Sequence, residues 1–313
     1  MKRYKKILIT GTSGFIGFHV ANYFLEKNYK VFGIDNHNNY YDISLKKKRC
    51  KILMNNKNFS FLNIDINSKK IIKILKNIKP ILIIHLAAQA GVRYSFNDPF
   101  KYIDYNIKGF LNILESMKAN KLDKLIYASS SSVYGNVKKY PVKENFNFNP
   151  ENFYGLTKVF NEQLIDVYIK NYKIKSFGLR FFTIYGKIGR PDMFIPKIIN
   201  NLKNKKKIYL YNKGNHYRDF TYVKDACEII FKLSKKIDKI KRNNIILNIC
   251  AGNSVSIKKV VNIISKSLKI KPKLKYLKFQ IGDMLKTHGS NKKLLNMIGS
   301  YKFTKIEQGL KKL

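Results

Sequence analysis

The chain has 313 residues, 62 of them Lys or Arg and 19 Asp or Glu, giving a formal charge of +43 with 45% hydrophobic residues. That length and apolar content exclude a disordered chain and fit one large domain, or a large and a small one. Cys50, Cys227 and Cys250 form no short-spaced pair and leave one over, which excludes a disulfide framework and a four-cysteine zinc site and favours a reducing compartment.

In chain order, Lys6 to Thr10 is a short β-branched run ending at glycine, Phe15 to Lys27 has helical spacing, and Lys30 to Asp35 is again strand-like, a βαβ unit. A strand over Phe59 to Asp65, an amphipathic helix over Ser68 to Ile78 and a buried strand over Pro80 to Leu86 continue the pattern. Helix 104–119 leads to the strand Lys124 to Ala128, and helix 154–171 to the strand Lys175 to Arg180. Strands and helices alternating in this way predict an α/β fold with a doubly wound parallel sheet of Rossmann type. After residue 181 the rhythm breaks into shorter elements between segments rich in Gly, Pro and Asn. Residues 1–181 are therefore expected to form the dinucleotide-binding domain, with 217–250 partly rejoining its sheet, and 182–313 mainly a smaller lobe.

The positive charge is spread along the whole chain as lysine, which argues for a solvated surface rather than a nucleic-acid stripe. Only seven arginines are present: Arg3, Arg49, Arg93, Arg180, Arg190, Arg218 and Arg242. Against a lysine background, a guanidinium marks a place that needs a planar fork. Glycines interrupt the apolar N-terminal stretch that a secretory signal would require, and no run of about 18 apolar residues lacks a lysine. No membrane span is expected, and a cytoplasmic location is.

Gly11, Gly14 and Gly17 lie between the first strand and the first helix, where glycine permits a tight turn and the close approach of a pyrophosphate to the helix N-terminus. Phe15 and Ile16 belong to the same loop. Asp35 ends the second strand, where a carboxylate accepts from ribose hydroxyls and repels a 2′-phosphate, so NAD is expected rather than NADP. Tyr154 and Lys158 are four apart and rise from one helix face. Bringing a phenol from a pKa of about 10 to about 7 needs roughly 4 kcal/mol of phenolate stabilisation, which a nearby ammonium and a positive nicotinamide can supply. No two histidines have metal-ligand spacing, so no metal is expected, and His85 reads as a packed strand-end residue.

The glycine spacing of three and three resembles the extended short-chain dehydrogenase/reductases, the NAD-dependent epimerase/dehydratase family. Further motifs agree in order: Asp65-Ile66, His85 to Ala88, Asn106, Ser129 to Gly135, and Tyr154 to Lys158. The resemblance implies that Asp65 and Ile66 flank the adenine, that Ala87 and Ala88 line the cofactor cleft with Asn106 near it, and that Ser130 bridges the substrate O4 and Tyr154. In related sugar dehydratases two acids precede the Val-Tyr-Gly stretch, and related decarboxylases usually keep a glutamate there; here these positions are Ser131 and Ser132. Gly91 to Ser95, Phe181 to Gly186, Gly189 to Met193 and Arg218 to Thr221 narrow the resemblance to UDP-glucuronate 4-epimerases. It implies NAD-dependent C4 epimerisation of UDP-glucuronate to UDP-galacturonate through a 4-keto sugar, supplying surface polysaccharide precursors.

By the same resemblance Arg218 meets the UDP pyrophosphate, Asp283 the uridine ribose or its surroundings, and Thr183 and Arg190 the sugar carboxylate, with Ser131 in the substrate pocket. For Arg93 and Arg180, ligand contact and a structural ion pair both fit. A homodimer packed through helices 104–119 and 154–171 is also implied. The alternatives are a 4-epimerase of UDP-glucose or UDP-N-acetylglucosamine, and a UDP-glucuronate decarboxylase.

Overall fold

Along the first strand Leu8 faces one layer of helices while Ile7 and Ile9 face the other, and this alternation recurs in its neighbours, so the central sheet has an apolar core on each side. The computed structural model describes residues 5–241, 243–278 and 284–313. It begins β1 (Lys6–Thr10), α1 (Phe15–Glu26), β2 (Lys30–Asp35), α2 (Ile43–Met54), β3 (Phe59–Asn63), α3 (Lys70–Ile78) and β4 (Ile83–His85). There follow α4 (Tyr94–Asn97), α5 (Pro99–Tyr102), a π-helical turn (Ile103–Lys108), α6 (Gly109–Ala119), β5 (Lys124–Ser130), α7 (Phe153–Tyr172) and β6 (Lys175–Phe181). The rest comprises β7 (Thr183–Tyr185), α8 (Phe194–Lys203), β8 (Ile208–Tyr211), β9 (Tyr217–Tyr222), α9 (Val223–Lys236) and β10 (Asn244–Ile249), then β11 (Ser254–Ser256), α10 (Ile257–Leu268), β12 (Leu274–Leu277), α11 (Lys292–Ile298) and α12 (Ile306–Lys311).

Among the described residues the main sheet has seven strands in the order β10-β6-β5-β4-β1-β2-β3, all parallel. Chain direction across the sheet reverses between β1 and β4, and ligands of such sheets bind at that switch point beyond the strand C-termini. Among the described residues, the expected return to this sheet is made by β10 alone. β9 instead pairs with β7 and β11 in a three-stranded sheet, and β8 with β12 in a two-stranded one. The strand expected over Pro80 to Leu86 is shorter, because only Ile83 to His85 pair on both sides. The helix expected at 104 begins at Pro99, capped by the Asp98 carboxylate, and passes through the π turn without ending.

The site depends on α7 and the strand beside it. Asn152 caps α7 by accepting from the Gly155 N–H at 2.8 Å, which satisfies one of the donors left open at a helix start. Gly155 has no room for a side chain: a Cβ there would lie 2.6 Å from the Ser132 carbonyl oxygen, so the helix start sits directly on the turn that follows β5.

Candidate active site

One cavity of about 470 Å³ crosses the C-terminal ends of the central strands. Its cofactor-side wall is formed by Gly11, Gly14, Phe15, Ile16, Gly17, Asp35, Ile66, Ala87 and Ala88. Gly11 has φ +77°, and a Cβ on Gly17 would lie 2.0 Å from the Gly11 carbonyl oxygen, so this loop closes only with glycine at both places. Gly14 caps α1 with no side-chain hydrogen bond, which leaves the first-turn N–H groups and the positive helix end for an anion. The Asp35 carboxylate accepts from the backbone N–H groups of Ser13 at 3.0 Å and His37 at 2.9 Å, fixing it at the end of β2.

Asp65 and Asn106 stand behind the wall rather than in it. Asp65 accepts from the Asn36 amide at 2.7 Å. Asn106, buried in the π turn, accepts from the Gln89 N–H and donates to the Gln89 carbonyl and the Thr157 hydroxyl, joining the loop after β4 to α7. His85 is buried against Thr10, 2.9 Å from its hydroxyl, and burial pushes its imidazole down to about 3. It is a neutral packed residue, as expected.

Ser130, Ser131, Tyr154 and Lys158 meet in the middle of the cavity. The Ser130 hydroxyl donates to the Ser132 hydroxyl at 3.1 Å, and the Lys158 ammonium lies 5.8 Å from the Tyr154 ring centre. Lys158 donates to the Ala128 carbonyl at 2.9 Å. Burial lowers its pKa to about 8, with Glu162 opposing the fall. Burial likewise raises the Tyr154 phenol above its ordinary value, while the nearby Ser130 hydroxyl and the charge of Arg190 pull it back.

Thr183, Arg190, Arg93 and Arg218 line the far end of the same cavity. The Arg190 guanidinium is gripped by Asp192 through two bonds of 3.0 and 2.8 Å, and the Tyr40 hydroxyl donates to the same carboxylate at 3.2 Å. Arg93 lies over the Tyr211 ring at 5.7 Å, which brings the loop after β4 against β8. Arg218 donates to the Tyr217 carbonyl at 2.9 Å. Arg180 is outside the lining and forms a buried pair with Glu162, so of its two readings the ion pair is the one observed. Asp283 lies outside the described residues.

Sequence reasoning gave no role to Tyr40, Asp192, Glu162 or Arg49. Arg49 is fully buried on α2 and donates to the Ser13 carbonyl of the glycine loop at 2.9 Å and to the Ile188 carbonyl at 3.2 and 2.7 Å. It therefore ties the cofactor loop to the segment that carries Arg190. Arginine scarcity was a signal for Arg49, and Asp192 falls within the Gly189 to Met193 motif; Tyr40 and Glu162 carry no comparable mark.

A nucleotide-binding α/β protein with a tyrosine and lysine at the cofactor cleft is the class that this fold and site define. The chain belongs to the NAD dependent epimerase/dehydratase family, whose model matches residues 7–250. It is 42% identical to an uncharacterised protein of Methanocaldococcus jannaschii, over 99% of this chain and 95% of that one. With the UDP-glucuronate 4-epimerase of Thermodesulfobacterium geofontis it shares 35% identity, over 97% of this chain and 94% of the relative. The crystal structure of UDP-glucuronic acid 4-epimerase from Bacillus cereus, in complex with UDP-glucuronic acid and NAD, superposes with a TM-score of 0.91 at 32% identity, covering 97% of this chain and 96% of that one.

Proposed function

We propose that this chain is an NAD-dependent 4-epimerase that interconverts UDP-glucuronate and UDP-galacturonate. The observation that carries the reading is a single cavity joining the glycine loop and Asp35 to Ser130, Tyr154 and Lys158, and these in turn to Thr183 and Arg190. The similarity over nearly the whole chain to proteins named UDP-glucuronate 4-epimerases, one of them crystallised with UDP-glucuronic acid and NAD, supports it.

The residues fit NAD: the loop too tight for any side chain at Gly17, the α1 N-terminus without a side-chain cap, and the Asp35 carboxylate suit a pyrophosphate and a ribose diol. NAD, when bound, supplies the reversible two-electron acceptor and a positive ring. Tyr154 as phenolate takes the proton of the sugar 4-hydroxyl as the C4 hydrogen leaves with its electron pair, and returns it after the oxidised sugar has turned. Ser130 holds that oxygen beside the phenol. Lys158 contributes a positive charge that favours the phenolate.

The oxidised sugar is a β-keto acid and loses CO2 when its carboxylate stands perpendicular to the carbonyl. Thr183 and Arg190 holding the carboxylate would oppose that geometry, and Ser131 and Ser132 stand where an acid would favour other outcomes. Arg218 and Arg93 would meet the diphosphate end, with residues beyond 181 forming most of the sugar-nucleotide side. Phe100, Ile103, Leu111, Leu156, Phe160 and Val167 are exposed on the adjoining helices α5 to α7, an apolar face suited to a second copy of the chain.

The test is incubation of purified protein with UDP-glucuronate followed by NMR of the sugar. UDP-galacturonate is expected; UDP-xylose alone, or an unchanged sugar, overturns the reading.

A further inference from the structure

Two successive residues at the end of β5 each engage one of two residues spaced by four along α7. The Ala128 carbonyl accepts from Lys158, and the Ser129 hydroxyl donates to Glu162. Positions 154, 158 and 162 share one helix face, so these two contacts set the register of strand against helix, and with it the place of Tyr154 beside Ser130 in the cavity. Glu162 is the centre of the stronger of them. Arg180 on β6 grips its carboxylate with bonds of 2.9 and 2.6 Å, both partners are 3% exposed, and the third guanidinium nitrogen donates to the Glu144 carbonyl at 3.0 Å. A buried ion pair is often no more stabilising than an apolar pair of the same shape, so stability alone does not account for it.

We infer that Glu162 is a positioning residue for the reaction: held by Arg180 and Ser129, it locks the register of the β5 end against α7 and gives Lys158 its anionic neighbour. The inference rests on the reading of the chain as a 4-epimerase. The charge of Glu162 is felt at Lys158 as a raising influence. The other titratable groups facing the cluster are His85 on β4, Tyr127 on β5, Tyr134 just beyond it, Glu144 between β5 and α7, and Tyr154 and Asp166 on α7. His85 stays neutral, burial raises Tyr127 and Tyr134, Asp166 is exposed, and the half-buried Glu144 carboxylate accepts from the Asn248 N–H at 2.8 Å, which leaves Glu162 as the buried anion beside Lys158.

The experiment uses the full NAD-loaded enzyme as wild type, Glu162→Gln, Glu162→Asp and the paired Glu162→Met/Arg180→Met. It reads kcat and KM for UDP-glucuronate from pH 6 to 9.5, together with the ¹³Cε titration of Lys158 in ¹³C-lysine-labelled protein, assigned by its loss in Lys158→Met. In Glu162→Gln the KM is expected to stay within about twofold, kcat to fall at least about tenfold, and both the alkaline limb and the Lys158 midpoint to move down by about one pH unit, tenfold in its ionisation constant. Glu162→Asp keeps the charge and recovers part of the shift. The paired variant, which leaves no lone buried charge, stays folded but keeps the kinetic loss. Unmoved midpoints in Glu162→Gln, or wild-type kcat and pH limb in the paired variant, overturn the inference. A wild type that fails to epimerise overturns the functional reading instead, while the NMR titration still tests the role of Glu162.

Discussion

Replacing Lys158 by Met should make the protein more stable and nearly inactive. Lys158 is 2% exposed, and burial takes its ammonium from the ordinary 10.5 to about 8. The fall from 10.5 to about 8 corresponds to about 3 kcal/mol that the folded state loses by keeping this group charged. The hydrogen bond to the Ala128 carbonyl returns about 1 kcal/mol. Methionine fills a similar volume without the charge, so the net gain is about 2 kcal/mol. For a chain of this size the unfolding entropy makes that about 3 °C in Tm.

The sign follows from linkage: the folded pKa lies below the unfolded one, so the cost is full below pH 8, fades between 8 and 10.5, and is gone above. Thermal melts of wild type and Lys158→Met at pH 7 and at pH 10.5 measure it directly. A gap of about 3 °C at pH 7 that closes by pH 10.5 is expected, with kcat lowered about 10²- to 10⁴-fold. If the variant melts at or below the wild type at pH 7, or if the gap ignores pH, the account of a charge held against its solvation is refuted.

Arg190→Ala removes the guanidinium that Asp192 presents to the cavity. The KM for UDP-glucuronate should rise at least about tenfold, or pentose should appear beside the epimer by NMR; unchanged kinetics with clean product would remove Arg190 from carboxylate recognition. Gly17→Ala places a methyl 2.0 Å from the Gly11 carbonyl oxygen, and neither backbone can yield cheaply. Overpacking of this kind costs about 1–3 kcal/mol, so NAD should bind about tenfold or more weakly by calorimetry; full affinity would show that the loop is looser than its geometry.

The parallel sheet, the glycine loop and the Tyr154 and Lys158 pair were legible because each is written in local spacing. Alternation every two residues gives the strands, and a four-residue interval puts two side chains on one helix face. Features that depend on distant partners were not. Whether Arg180 meets a ligand or an acid is decided by Glu162 on another element, and nothing in either local sequence pairs them. The same holds for Tyr40 and Asp192, 152 positions apart. Asp65 and Asn106 were read by resemblance as cofactor residues; they lie behind the cavity wall, where their hydrogen bonds hold the residues that line it. The π turn at Ile103–Lys108 carries no compositional mark, and only the bonds made by Asn106 reveal what it aims.

The seventh strand of the main sheet also governs the order in which the molecule can be made. β10 completes the outer flank of β6 but is encoded after β7, α8, β8, β9 and α9. While a ribosome has delivered only the first 181 residues, β6 shows a row of unpaired amide and carbonyl groups to its surroundings, the arrangement that recruits stray strands from other chains. The dinucleotide half is thus left unsealed until synthesis has passed residue 249, and nascent chains stalled between these points should be the ones that aggregate or need a chaperone.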